Sequence, residues 1–151
     1  MDIVVIPSTP DHVRELALCL REGDRRENEV YGFPSNKVLW RSFKGSLMRK
    51  TAFVDGDIAA MWGCGGVPMG TIGQPFLMTS DACERISPLR FARIYQREVH
   101  KMLQIFPRLV NYCDAEYHKA MRLLDIIGFK IGEPEPFGMN GAKFCKFEMT
   151  A

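Results

Sequence analysis

The chain has 151 residues, 46% of them hydrophobic and 25% charged, enough to bury a core and too apolar for wholesale disorder. Its 20 basic and 18 acidic residues leave a formal charge of +2, which directs it neither to nucleic acid nor to an anionic membrane. No apolar run nears the roughly 18 residues of a membrane span, and the first residues lack the basic start and long apolar stretch of a signal peptide.

Five cysteines, at positions 19, 64, 83, 113 and 145, form no C-x-x-C pair. Neither a disulfide framework nor a thiolate metal site is expected, and a reduced, cytoplasmic setting is. The three histidines, at 12, 100 and 118, are equally scattered, so no metal is expected.

Residues 3–6 are a short β-branched run ended by Pro7, a first strand. Thr9-Pro10-Asp11 has the form of a helix start: a hydroxyl N-cap, a proline at the first helical position and an acid at the positive end of the dipole. Val13, Leu16, Ala17 and Leu20 follow at helical spacing, and Gly23 is expected to weaken or end that helix. After the turn at residues 31–34, Ser35 or Asn36 can cap a second helix with Leu39, Phe43 and Leu47 as its apolar positions.

Residues 51–54 and 58–62 flank Asp55-Gly56, an antiparallel hairpin signal. Gly63, Gly65 and Gly66 are expected to end the second of these strands, and residues 74–79 form another. A helix over 87–106 places Phe91, Tyr95, Val99, Met102 and Phe106 inward. A strand at 109–113, a helix at 116–127 closed by Gly128, and strands at 129–131 and 142–149 complete the chain. With no repeat or linker, residues 1–151 are expected to form one domain. Its element order is too mixed for a doubly wound sheet or a helix bundle.

Residues 117–129, Tyr-His-Lys-Ala-Met-Arg-Leu-Leu-Asp-Ile-Ile-Gly-Phe, resemble the N-x-x-A-x-x-L-Y-x-x-x-G-F segment of the GNAT superfamily of N-acetyltransferases. Ala120, Leu123, Gly128 and Phe129 match in register; Tyr117 stands for the Asn, and Leu124 for the Tyr that often acts as acid. Residues 85–90, Arg-Ile-Ser-Pro-Leu-Arg, occupy the slot of the family's pyrophosphate loop, Q/R-x-x-G-x-G/A. Arg85 fits, whereas Pro88 and Arg90 replace small residues, and Pro88 removes a donor. The element order also resembles that family along nearly the whole chain. More narrowly, residues 21–27 and 79–85 resemble small GNAT-like proteins of tailed bacteriophages, the internal virion protein A group among them.

The resemblance implies an α/β fold of mixed, mostly antiparallel sheet, splayed between its fourth and fifth strands, with four main helices. It implies acetyl-CoA as co-substrate and an amine acceptor, a protein and in the phage setting a host protein. The alternative it leaves is an inactive GNAT-like phage protein that works by protein–protein interaction or as a virion component. Main-chain donors facing the thioester are then expected within Phe76, Leu77, Met78, Thr79 and Ser80. The pyrophosphate is expected over the helix start at Ser87, with Arg85 and Arg90 adding charge.

Asp24 and Glu27 extend the spacing of Leu16 and Leu20 by steps of four and three. If the helix persists through Gly23, these carboxylates face the acceptor cleft, where desolvation raises a carboxylate toward a useful general base. A solvated run of charges over 22–29 is the other reading. With Leu124 in the tyrosine slot, the thiolate either leaves unprotonated to solvent or takes its proton from another source, for which Tyr117, Tyr112 and Cys113 are the candidates, each also readable as a packing residue. Trp62 and the glycines after it are a further candidate for the acceptor pocket. Arg90, Arg93, Arg97 and Lys101 form a basic helix face, solvated or open to a 3′-phosphate or partner.

Overall fold

A computed structural model describes residues 1–67 and 69–151. Eight strands form one sheet in the order β1-β2-β3-β4-β5-β8-β6, with β7 paired to β8. They are β1 Ile3–Pro7, β2 Ser46–Val54, β3 Asp57–Gly66, β4 Ile72–Thr79, β5 Arg108–Asp114, β6 Lys130–Ile131, β7 Glu135–Pro136 and β8 Lys143–Thr150. Five α-helices, α1 Pro10–Ala17, α2 Glu22–Tyr31, α3 Ser35–Gly45, α4 Pro88–Ile105 and α5 His118–Ile127, complete the α/β fold.

Thr9 caps α1 by accepting the His12 N–H, with Pro10 in the first turn. β2 and β3 close over Asp55-Gly56. The central strand β3 is buried along both faces, as a strand covered by helices on either side must be. Met61 enters the cluster of Val13, Leu16, Leu39 and Phe43 under α1 and α3. Its neighbour Trp62 enters the opposite cluster with Phe91, Tyr95 and Val99 under α4. The indole N–H of Trp62 donates to Glu98 at 3.2 Å.

Several sequence expectations are corrected. Among the described residues there are five α-helices, one more than the four main helices expected, because the first acidic stretch is a helix of its own. α1 stops at Ala17, and a bridge between Leu20 and Ser80, with Arg21 N–H donating to the Thr79 carbonyl at 2.8 Å, pulls residues 18–21 onto the end of β4. Gly23 therefore lies inside α2 instead of ending α1. Leu47 belongs to β2 and is exposed. The glycines after Trp62 continue β3 to Gly66 instead of ending it. Gly128 closes α5 in the left-handed conformation, φ 112°.

The sheet is antiparallel except where β4 meets β5 in parallel, at the two pairs Ile72–Arg108 and Gly73–Leu109. Beyond them the strands part. The cause lies on β4. Asn111 Nδ2 donates to the Pro75 carbonyl at 2.6 Å, and the N–H and C=O of Thr79 turn to Asp24 and Arg21. Residues 75, 77 and 79 therefore face the β5 side, and 76, 78 and 80 face β3, since main-chain groups alternate along a strand. Ser80 N–H, donating to Ala59, follows this rule. The first β5-facing position after the paired stretch is thus a proline, which has no N–H to give. The ladder stops there and a wedge opens.

Candidate active site at the wedge

The wedge opens a cavity of about 970 Å³ bounded by β4, β5, α2, α3, the first turn of α4 and α5. Asp24, Glu27, Asn28 and Tyr31 reach it from α2, at steps of three, one and three that keep them on one helix face. Asp24 and Glu27 thus meet the cleft from a separate helix, not as the continuation of α1.

Asp24 is 6% exposed. It accepts both the N–H of Thr79, at 2.9 Å, and its hydroxyl. Burial pushes its carboxyl up to about 6, against the lowering effect of the Thr79 bonds and of Arg21. Glu27 is half-buried and accepts the Asp114 N–H at 3.0 Å. Burial, with the Asp24 and Asp114 charges adding to it, raises Glu27 to about 7 despite that bond. The cleft therefore carries one carboxyl poised near neutrality beside another near 6.

Tyr117 precedes α5 and lines the cavity beside Asp24 and Arg21. Its phenol is pushed up, chiefly by burial, so it keeps its proton at neutral pH. The ring lies over α2, and a Cβ on Gly23 would sit 2.5 Å from Tyr117 Cε1. Gly23 is small because the tyrosine needs the space, which is why it does not act as a breaker. Leu124 lines the same cavity as hydrocarbon. Tyr112 lines it too but is stacked on Phe137. Cys113 is buried beside Glu27, its thiol pushed up by burial first and by the Glu27 charge next.

Residues 76–80, at and just past the end of β4, separate by the alternation described above. Leu77 presents its N–H to the gap, whereas the Thr79 N–H is taken by Asp24 and that of Ser80 by Ala59. Phe76 and Met78 contribute side chains to the lining while their N–H groups face β3. Arg85 is paired with Asp57 at 2.7 Å, both exposed, on the surface outside the cavity lining. Ser87 and Arg90 are exposed, the Ser87 hydroxyl accepting the Arg90 N–H at 3.3 Å. With Pro88 at the first position of α4, Leu89 carries the first-turn N–H that has no partner among the described residues. Trp62 lies in the core rather than in the pocket.

Three features escape the sequence. Lys119 pairs with Glu84 at 2.9 Å across the outer mouth of the wedge, between the 3-10 turn Asp81–Arg85 and α5. Asn111 holds the Pro75 carbonyl. Tyr31, Phe33, Phe137 and Phe144 form an aromatic wall from segments more than 100 residues apart. Each depends on contacts that no local pattern encodes. Among the described residues no three His, Cys, Asp or Glu side chains converge as a metal site, and no helix is long and apolar enough to cross a membrane.

No family model matches the chain, and no curated protein matches its sequence. Solved structures do match its fold. An acetyltransferase of the GNAT family from Streptococcus pneumoniae is 15% identical, with 99% of each chain covered and a TM-score of 0.66. The ribosomal-protein-alanine N-acetyltransferase from Brucella melitensis is 12% identical over 98% of this chain and 99% of that one, TM-score 0.70. The microcin C7 self-immunity acetyltransferase MccE, solved with acetyl-CoA and AMP, is 10% identical over 99% of this chain and 93% of that one, TM-score 0.70. The chain has the mixed α/β GNAT fold.

Proposed function

We propose that the protein transfers an acyl group from a coenzyme A thioester, acetyl-CoA in the first instance, to an amine. The observation that carries the reading is the wedge itself. It is held open by Pro75, lined by an outward main-chain N–H at Leu77, and floored by Asp24 and Glu27. The thioester arm enters between β4 and β5. Leu77 N–H donates to its carbonyl oxygen, where negative charge grows during attack. MccE, of the same fold, was solved with acetyl-CoA.

Glu27 is the general base. Raised to about 7, it is partly ionised at neutral pH and basic enough to take a proton from an ammonium as the nitrogen attacks. Asp24 orients the Thr79 end of β4 and adds negative charge that draws a cation inward. The Tyr117 hydroxyl, still protonated, donates to the departing sulfur in the place left by Leu124. Arg85, Ser87 and Arg90 serve the phosphate end only if Arg85 leaves Asp57; Lys119 stands closer to the mouth.

A lysine side chain, a protein N-terminus and a small amine share the chemistry this floor suits. The motif likeness to phage proteins adds the finer reading of a host protein as acceptor, tested by acetylation of host lysate proteins. A second reading is an inactive fold that acts by binding other proteins. It is favoured by the donor-poor start of α4 and by the Arg85–Asp57 pair. Calorimetric titration with acetyl-CoA separates the two. Saturable binding, with acyl transfer that Glu27→Gln abolishes, supports catalysis; no binding at millimolar cofactor leaves the interaction protein.

A further inference from the structure

The total charge of +2 hides an uneven distribution. On α4, Arg90, Arg93, Arg97 and Lys101 are all exposed. At helical spacing they fall within about 80° of arc, and Arg90 and Lys101 stand about 16 Å apart along the axis. His100 and Gln104 border the same row and are exposed too. The one acid of the helix, Glu98, is buried, its oxygens engaged by the Trp62 indole and by Lys101. Arg90, Arg93 and Arg97 have no carboxylate partner among the described residues.

Such a row lowers the stability of the helix. Arg93 with Arg97, and Arg97 with Lys101, are like charges four residues apart, which repel. Arg90 lies in the first turn, at the positive end of the dipole, and that turn holds no acid. A merely solvated face interleaves acids with bases and so offsets both effects; this one does not. The row itself holds no aromatic or aliphatic side chain, whereas the centre of a protein–protein interface is poor in charge and rich in aromatics. Nor is the helix free to lie in a bilayer, since its apolar face, Phe91, Tyr95, Val99 and Met102, is closed into the core. Charge complementarity then favours a linear polyanion, and the planar fork of arginine suits phosphate oxygens in particular.

We infer that the exposed face of α4 binds the phosphate backbone of nucleic acid without reading its bases. Arg90, Arg93 and Arg97 make the contacts, with Lys101 a fourth once it leaves Glu98. Phosphate contacts fix position and carry no sequence information, so binding is indifferent to base order and falls steeply with salt. None of the four side chains lines the wedge cavity. The inference is therefore independent of the acyl-transfer reading, and the two stand or fall separately.

The test follows the fluorescence anisotropy of a labelled DNA duplex of about 20 base pairs, titrated with the full chain at salt concentrations from about 50 to 200 mM. Saturable binding is expected, with a Kd of about 10⁻⁴ to 10⁻⁶ M at physiological salt and a slope of log K against log salt of about −3. A duplex of the same composition in scrambled order should bind equally. Replacing both Arg93→Gln and Arg97→Gln, at exposed positions, should weaken binding about tenfold or more at the lowest salt and flatten the slope by about two. Replacing both by lysine should keep the slope. No binding to the duplex, an unchanged slope in the glutamine variant or a preference for one base order overturns the inference. So does displacement of the duplex by millimolar coenzyme A, which would make the row a cofactor contact, or tighter binding to vesicles of phosphatidylserine and phosphatidylcholine, which would make it a membrane contact.

Discussion

The main-chain N–H of Asp114 donates to Glu27 Oε2 at 3.0 Å, and with the Arg26–Asp114 ion pair at 3.5 Å it joins α2 to the far end of β5 across the wedge. It leaves the carboxyl buried enough to be raised to about 7, yet still bordering the cavity.

Glu27→Gln keeps an oxygen that can accept the Asp114 N–H but removes the basic group. Turnover is expected to fall by about 10²- to 10⁴-fold with little change in fold. In the wild type, kcat/KM should rise with pH as Glu27 loses its proton near 7, and the variant should lose that limb. A pH–rate profile of the two proteins checks both statements.

Stability should run the other way. The folded protein holds Asp24 at about 6 against an ordinary 3.8, and Glu27 at about 7 against 4.5. Their contribution is therefore fully present below pH 4 and is lost as pH rises through 6 and 7. The loss is on the order of 3 kcal/mol for each group at most. Urea midpoints measured from pH 4.5 to 7.5 should fall in the wild type and flatten in Glu27→Gln and in Asp24→Asn. Glu84, exposed, and Glu148, partly exposed, are lowered by Lys119 and Arg108 and act below that window.

Gly23→Ala would place a methyl 2.5 Å from the Tyr117 ring. The ring must move off α2, at a cost of about 1–3 kcal/mol, and its hydroxyl leaves Asp24. Activity is expected to drop in Gly23→Ala and in Tyr117→Phe alike, while thermal melting separates them: Tyr117→Phe keeps the packing and should stay close to wild type.

At the mouth, Glu84 holds Lys119 at 2.9 Å. Both side chains are well exposed, so breaking the pair costs little stability. Glu84→Gln frees the ammonium for phosphate oxygens. Acetyl-CoA affinity is expected to rise a few-fold at low salt and to lose that gain at high salt, which titrations at two ionic strengths will measure.

Much of the frame is legible in the sequence because local chemistry writes it. Thr9-Pro10 starts α1, Asp55-Gly56 turns the hairpin, and Gly128 ends α5. The break between α1 and α2 is not legible, because it is made by a bond from Arg21 to Thr79 and a bridge from Leu20 to Ser80, partners nearly 60 residues away. Gly23 misleads for the same reason: its missing side chain makes room for Tyr117, which precedes α5. The carboxylates Asp24 and Glu27 are found from their spacing even though the continuous helix assumed for them does not exist. α2 restores their common face by its own periodicity. Arg85 is drawn from a motif slot, and its partner Asp57 sits on a strand that the motif does not contain. The aromatic wall is invisible to any local reading, since Tyr31 and Phe137 meet only in the folded chain.

In the proposed reaction, the alternation of main-chain groups along β4 makes Leu77 the donor that would meet a thioester carbonyl. Titrating the isotopically labelled protein with acetyl-CoA while following backbone amides by NMR tests this most directly. The Leu77 amide should shift downfield and saturate with the cofactor, while those of Phe76 and Met78, turned to β3, move far less. Saturable binding with an unmoved Leu77 amide, or no binding at all at millimolar acetyl-CoA, would contradict it.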